Sequence, residues 1–471
     1  MTRHQALGWL LVGQLALCVW LRVSGFLAIS DDDYARVVIA QRFVGGPSWD
    51  PSGSSWLPLP FLLTGSAMTL FGATLEVARA VAVASSLGAI VLLYAAARQL
   101  SMSRGFAVVT ALLGASLPTL RPLAVATVPE YWCAALAVFG LCTLARNGRV
   151  RVLGALALGA ATACRYETWP LTLGFALFCA LDARRPSERR TALSAAVVAL
   201  SFPAAWLAHG AAHHGSALFF VARVQNYKAA LGGDGRDLLG MWTGYPAALF
   251  TREPELAALV LCAALAARFA RGASPEPRVP TLRLLFPCAL ALVVLVVGDV
   301  RGGAPTHHPE RALLASWLVL LLVALTTVAR LGSIRAAQIL VLSVALALPF
   351  RWSLTPSNYG PRPDEEEAGR LVRSRLSATE KVALATSDYG YFAIEATAGY
   401  PERFVLAETH DPRLARSGLS LAESLRENAR RAHACYGLLP LCIELDGVRL
   451  EGESSAFKLV RFVRDDCSHN R

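Results

Sequence analysis

Residues 26–46 read "FLAISDDDYARVVIAQRFVGG", with three adjacent aspartates set where a long apolar run ends. Like charges this close repel one another, and more strongly as the local dielectric falls. Asp31, Asp32 and Asp33 therefore either lie in water at a helix N-terminus, where acids meet the macrodipole favourably, or face something cationic. The run that follows, "DYARVVIAQRFV", carries Val37, Val38 and Phe43 on one side, a pattern suited to a helix lying at a membrane interface.

Working outward, the rest of the chain repeats the apolar theme. Of 471 residues, 55% are hydrophobic and 17% charged, with mean hydropathy +0.45, which excludes an ordinary set of soluble domains. Apolar stretches near bilayer thickness recur at 6–28, 76–97, 105–121, 130–145, 150–164, 168–181, 191–208, 255–270, 282–298, 311–329 and 335–351. The expected fold class is an α-helical polytopic membrane protein of about eleven transmembrane helices with a small C-terminal α/β domain. The first stretch has no small-x-small cleavage site, and Leu17 is too large for the "LALC" at Cys18 to serve as a lipobox, so an uncleaved first helix is expected.

Charge sets the expected orientation. One set of alternate loops holds Arg98 and Arg104, "RNGRVR" (146–151), "DARRPSERR" (182–190), "RFARGASPEPRVPTLR" (268–283), and Arg330 with Arg335. The other set mixes signs and holds nearly all the loop carboxylates. Placing the arginine-rich set in the cytoplasm puts the N-terminus on the cytoplasmic side of the plasma (inner) membrane and everything beyond Phe350 outside. The net charge of +11 then comes largely from cytoplasmic arginines and implies no nucleic acid.

The chain divides near residue 351. Residues 1–350 form the membrane part, with a long first outer loop at 29–75 and a second at 209–254. In the first, Trp49 and Trp56 suit the membrane–water interface, and "WLPLPFLLTG" is too short and proline-broken to span, so it is expected to be re-entrant or surface-lying. Residues 351–471 carry an amphipathic charged helix, then the β-rich runs "KVALATS", "ERFVLAE", "LCIELDG" and "FKLVRFV", with the helix "SLAESLRENARRAHA" between the second and third. Most cysteines fall in apolar stretches as core filler, and no zinc-type spacing is present. In the tail, an extracytoplasmic location would permit a Cys435–Cys442 disulfide, leaving Cys467 odd.

Further features fall on the same expected face: "RPLAVATVPEYW" (121–132), "CRYETWP" (164–170) and "RGGAPTHHPERALLASW" (301–317). Together with the first loop, their order resembles the GT-C class of polytopic glycosyltransferases, particularly the branch of lipid A aminoarabinose transferases and protein mannosyltransferases. The resemblance spans residues 1–350. It rests on an acidic motif in the first outer loop (Asp31, Asp32, Asp33), a Pro-Leu-Pro stretch (Pro58, Leu59, Pro60) leading to Phe71 and Gly72, an Arg-Tyr-Glu element (Arg165, Tyr166, Glu167), and a His-Pro-x-Arg element at a late helix start (His308, Pro309, Arg311). The chain departs from the branch in having Asp-Asp-Asp where a glutamate is common, which leaves open which acid would be the base. "SDYGYFA" (387–393) shares only Asp-Tyr-Gly with the Trp-Trp-Asp-Tyr-Gly motif of oligosaccharyltransferases and reads as a strand-to-turn junction.

The resemblance implies transfer of a sugar from a polyprenyl-phosphate donor to an extracytoplasmic lipid, glycan or protein, by an inverting single displacement. Such chemistry needs a base for the acceptor hydroxyl and positive charge on the departing phosphate. Asp32 or Asp31 is the candidate base; Asp31 and Asp33 are candidate ligands of a divalent ion, Mg or Mn. Adjacent helical residues diverge by about 100°, so the three cannot all face one site. Arg311 is the leading phosphate contact, with His308 a helper, against a loop-capping role in which Glu310 pairs with Arg311. His307 beside it offers no shared metal site without further ligands. Arg165, between two short apolar halves, sits where charge points to a cavity; the alternative is a local Arg165–Glu167 pair with Tyr166 and Trp169 anchoring the hairpin. Glu130 reads as a helix N-terminal acid, and His213 and His214 as surface residues. Two rival functions remain: a transporter or flippase for lipid-linked saccharides, and a non-catalytic lipid-binding member of the same fold.

Overall fold

The computed structural model describes residues 1–232, 238–269, 281–303, 308–353, 360–386, 388–414 and 418–463. The membrane part is built from helices α1 (Arg3–Val23), α2 (Asp31–Gly45), α3 (Leu59–Phe71), α4 (Leu75–Gln99), α5 (Arg104–Ser116), α6 (Glu130–Cys142), α7 (Arg149–Thr162), α8 (Thr168–Asp182), α9 (Arg189–His213), α10 (Phe219–Ala230), α11 (Leu238–Arg252), α12 (Pro254–Phe269), α13 (Thr281–Val300), α14 (Pro309–Ala329) and α15 (Ser333–Ser353). Each apolar stretch read from the sequence overlaps one of them, though 6–28 and 105–121 run past the ends of α1 and α5. Among the described residues, five helices are long and apolar enough to cross a membrane, namely α1, α4, α9, α13 and α14; several others are shorter apolar helices.

Close helix contacts come from small residues. Gly154 of α7 lies against Thr143, where a Cβ would come within 2.8 Å of Thr143 Cβ, and Gly174 of α8 lies against Pro287 of α13, 2.8 Å from its Cβ. Such small-residue contacts are how helices associate where lipid removes the hydrophobic drive. Helix α14, the most buried of the candidate spans, packs against α5, α6, α12 and α13 at the centre.

Both segments of the first long loop are helical. Helix α2 lies on α3, and Gly65 makes this possible: an added Cβ would overlap the Phe43 ring and approach Ala40 O at 3.2 Å. Val37 and Val38 do not face lipid. They are buried in a cluster with Met68, Leu75 and Ala78 from α3 and α4, and Ala393 and Ala396 from the tail.

The tail adds α16 (Pro363–Arg375), α17 (Tyr391–Ala398), α18 (Leu421–Arg431) and five strands: β1 (Val382–Leu384), β2 (Phe404–Leu406), β3 (Tyr436–Pro440), β4 (Val448–Glu453) and β5 (Phe457–Phe462). The sheet order is β2-β1-β3-β5-β4, with β2, β1 and β3 parallel and β3, β5 and β4 antiparallel. One expected strand, "LCIELDG", is instead the turn region between β3 and β4. Cys442 within it is an exposed free thiol while Cys435 is disulfide-bonded, so the Cys435–Cys442 pairing is not made. Cys467 lies outside the described residues. The tail packs on the first loop: α17 lies on α2, Gln41 donates to Ala396 O at 2.8 Å, and Tyr34 donates to Glu366 at 2.8 Å.

Candidate functional site

The three aspartates diverge, as the turn of a helix requires. Asp33 is buried; its Oδ2 accepts from the Ile29 and Ser30 amides at 3.1 and 3.3 Å, closing the helix start. Its Oδ1 accepts from the Thr127 amide at 2.9 Å, tying α2 to the segment before α6. Burial pushes the Asp33 carboxyl up to about 6, against the lowering by these donors and by Arg311. Asp31 turns the other way, onto the tail, where Arg362 grips both its oxygens at 2.9 and 3.0 Å and also meets Asp388 at 2.9 Å. Asp32 is the open one: its side chain is 47% exposed, with Arg311 Nη1 3.6 Å from Oδ2.

Arg311 is held from behind. Its Nε donates to Glu130 Oε1 at 2.9 Å, and Arg165 Nη1 reaches the same oxygen at 2.5 Å. Glu130 is fully buried at the start of α6, so two guanidiniums converge on one desolvated carboxylate. Arg165 also pairs with Glu167, its Nε donating at 3.1 Å, so the local pair and the cavity-facing role coexist. A third guanidinium, Arg36 from α2, is buried beneath the Trp56 ring, 4.5 Å from its centroid, with Nε and Nη1 unpartnered among the described residues. Unsatisfied buried donors cost free energy unless an acceptor reaches them.

Glu130, Arg165, Glu167 and Arg311 line an open cleft with about 260 Å³ of space, together with Cys133 and Ala134 of α6, Thr168 and Leu171 of α8, and Ala312, Leu314 and Ala315 of α14. Neither His308 nor Tyr166 lines the cleft. His308 is half-exposed, and its Nδ1 meets Glu310 at 3.2 Å, so Glu310 pairs with the histidine rather than with Arg311. His307 lies outside the described residues. The Tyr166 hydroxyl accepts from Trp206 Nε1 at 3.0 Å, and its ring stacks on Phe220 at 4.1 Å, away from the arginines.

Asp31 and Asp33 do not offer a divalent ion a ready seat, because all four of their oxygens accept from N–H donors. Sequence reasoning missed Glu130 as the hub, and missed Arg36, Thr127 and Arg362. Glu130 gave only the signal of an acid after proline at a helix start, and Arg36 looked like the polar side of an amphipathic helix.

No family model matches the chain, and no curated protein matches it in sequence. Solved structures do match. ArnT from Cupriavidus metallidurans, in its apo state and bound to undecaprenyl phosphate, aligns over 98% of this chain and 99% of its own, with TM-score 0.57 and 13% identity. The Archaeoglobus fulgidus oligosaccharyltransferase, in complex with Zn and sulfate, aligns over 92% of this chain and 68% of its own, with TM-score 0.53 and 15% identity. Bundle, first-loop helices and C-terminal sheet all fall within the aligned span, and on that likeness the chain has the fold of the GT-C glycosyltransferases.

Proposed function

We propose that the protein transfers a glycosyl group from a polyprenyl-phosphate donor to an acceptor on the extracytoplasmic face of the inner membrane. The observation that carries this reading is the cleft. Its lining combines guanidiniums with apolar side chains, and an open carboxylate stands beside Arg311. An amphipathic donor fits that layout, with phosphate on the arginines and isoprenoid along α8 and α14. The solved ArnT complex with undecaprenyl phosphate and the archaeal AglB complex with a dolichol-phosphate support the donor class.

In this reading Asp32 accepts the proton of the acceptor hydroxyl while that oxygen attacks the anomeric carbon. The bond from that carbon to the phosphate oxygen breaks with inversion, and the lipid phosphate leaves carrying the electron pair. Arg311 and Arg165 stabilise the charge developing there, with Arg36 as a further donor. Asp33 fixes the pitch of α2, and Asp31 ties it to the tail through Arg362. Glu167 and Tyr166 hold the Arg165 turn in place, and His308, just before α14, pairs with Glu310.

Purified protein incubated with a radiolabelled polyprenyl-phosphate sugar and membrane-extract acceptors tests this. Transfer of label, with release of polyprenyl phosphate, is the expected result. Movement of intact donor across a proteoliposome membrane without transfer would indicate a flippase, and binding without either would indicate a non-catalytic lipid-binding protein.

A further inference from the structure

Away from the arginine cleft, the loop after α2 meets the end of α9. Asp50, His209 and His214 present one ligating atom each, all within 4.8 Å of one another. Asp50 Oδ2 and His214 Nε2 are 3.2 Å apart, and the two side chains are 10% and 19% exposed. Asp50 Oδ1 is committed elsewhere, accepting from Ser52 Oγ and the Gly53 amide, which fixes the carboxylate with Oδ2 turned to the histidines. His209 Nε2 is buried without a hydrogen-bond partner among the described residues. The expectation that His214 is a surface residue does not hold, since it stacks on Phe219 at 4.1 Å, and His209 stacks on Trp206 at 5.1 Å.

We infer that Asp50, His209 and His214 form a transition-metal site, with zinc the best fit. Two imidazoles and one carboxylate are a donor set for zinc or its neighbours rather than for magnesium or calcium, which prefer all-oxygen shells. An ion supplies the acceptor that the orphaned His209 nitrogen lacks. The fourth position falls to water. Such an ion would pin the first long loop to the C-terminal end of α9. It would also brace Trp206, whose indole holds Tyr166, next in sequence to Arg165. The triad shares no residue with the arginine cleft, so the inference stands whether or not the proposed transfer reaction is correct.

The full-length protein in detergent, stripped with a chelator and titrated with Zn2+, tests this by calorimetry and by metal analysis after gel filtration. One equivalent per chain is expected for the wild type and for His213→Ala, which alters the exposed neighbouring histidine outside the triad. His209→Ala and Asp50→Asn should each weaken binding at least tenfold. Co2+ in the wild type should give the intense visible bands of a four-coordinate site, lost in His209→Ala. Absence of stoichiometric Zn2+ binding by the wild type overturns the assignment, even if a variant fails to fold. So does unchanged affinity in both His209→Ala and Asp50→Asn.

Discussion

At the residue scale, the three aspartates differ by partner rather than by type. Asp33 is spent on backbone amides and Asp31 on Arg362, which leaves Asp32 half-open beside Arg311. Asp32→Asn removes basicity while keeping size, so turnover should fall at least about a hundredfold with donor binding retained, the lower range for a general base. Rates and donor affinity for Asp32→Asn measured beside Asp31→Asn would check this; near-normal turnover in Asp32→Asn would end its role as base. Glu130 makes a different forecast. Its carboxylate is the shared acceptor of Arg165 and Arg311, so Glu130→Gln leaves two buried cations under-compensated. Breaking such a buried pair costs about 3–5 kcal/mol, and the variant should melt well below wild type in a detergent thermal-unfolding assay. A melting temperature within error of wild type would mean that Glu130 does not hold the cluster together.

At the element scale, α2 is the joint between membrane part and tail, and α17 lies across it. Glu395 of α17 is buried in that contact, with only the half-exposed Arg42 of α2 opposite at 3.5 Å and Glu402 adding like charge. Burial pushes its carboxyl up to about 8. A carboxyl raised on folding contributes stability fully present below its unfolded value and lost as pH rises through the folded one. Docking of the tail on α2 should therefore loosen progressively from about pH 5 to about pH 8 and level off above that, read as faster proteolysis near 391–398. Glu395→Gln should flatten that dependence, and an unchanged pH profile in it would reject the cause. Which elements were legible follows the same physics. The helices were, because apolar runs of bilayer length leave little else to form. Strands fared worse: β3 contains Gly437 and Pro440, residues that argue against a strand, while β4 is a polar, half-exposed edge. The alternation of "LCIELDG" drew the assignment away from both. Asp32 and Arg311 stand out as candidates in the sequence because each sits in a short motif. The pairing of Arg311 with Glu130 spans 181 positions, and no local spacing encodes it.

At the scale of the whole molecule, sidedness decides which compartment the site serves. The tail sheet, the aspartates and the Arg311 end of the cleft share one face, since Arg362 joins the tail to Asp31 and Arg311 meets Asp32. The arginine-rich short loops predict that this face is extracytoplasmic and the N-terminus cytoplasmic. The chain carries its own reporter, because Cys442 is an exposed free thiol in the tail whereas the other free cysteines among the described residues are buried. A membrane-impermeant maleimide added to intact spheroplasts should label the wild type, and Cys442→Ser should lose that labelling. A thiol introduced by Arg3→Cys in the Cys442→Ser background lies at the exposed start of α1, and should react only after the membrane is permeabilised. The opposite pattern, Arg3→Cys labelled from outside and Cys442 protected until permeabilisation, would turn the molecule over. The open carboxylate would then face the cytoplasm, where an extracytoplasmic acceptor cannot reach it.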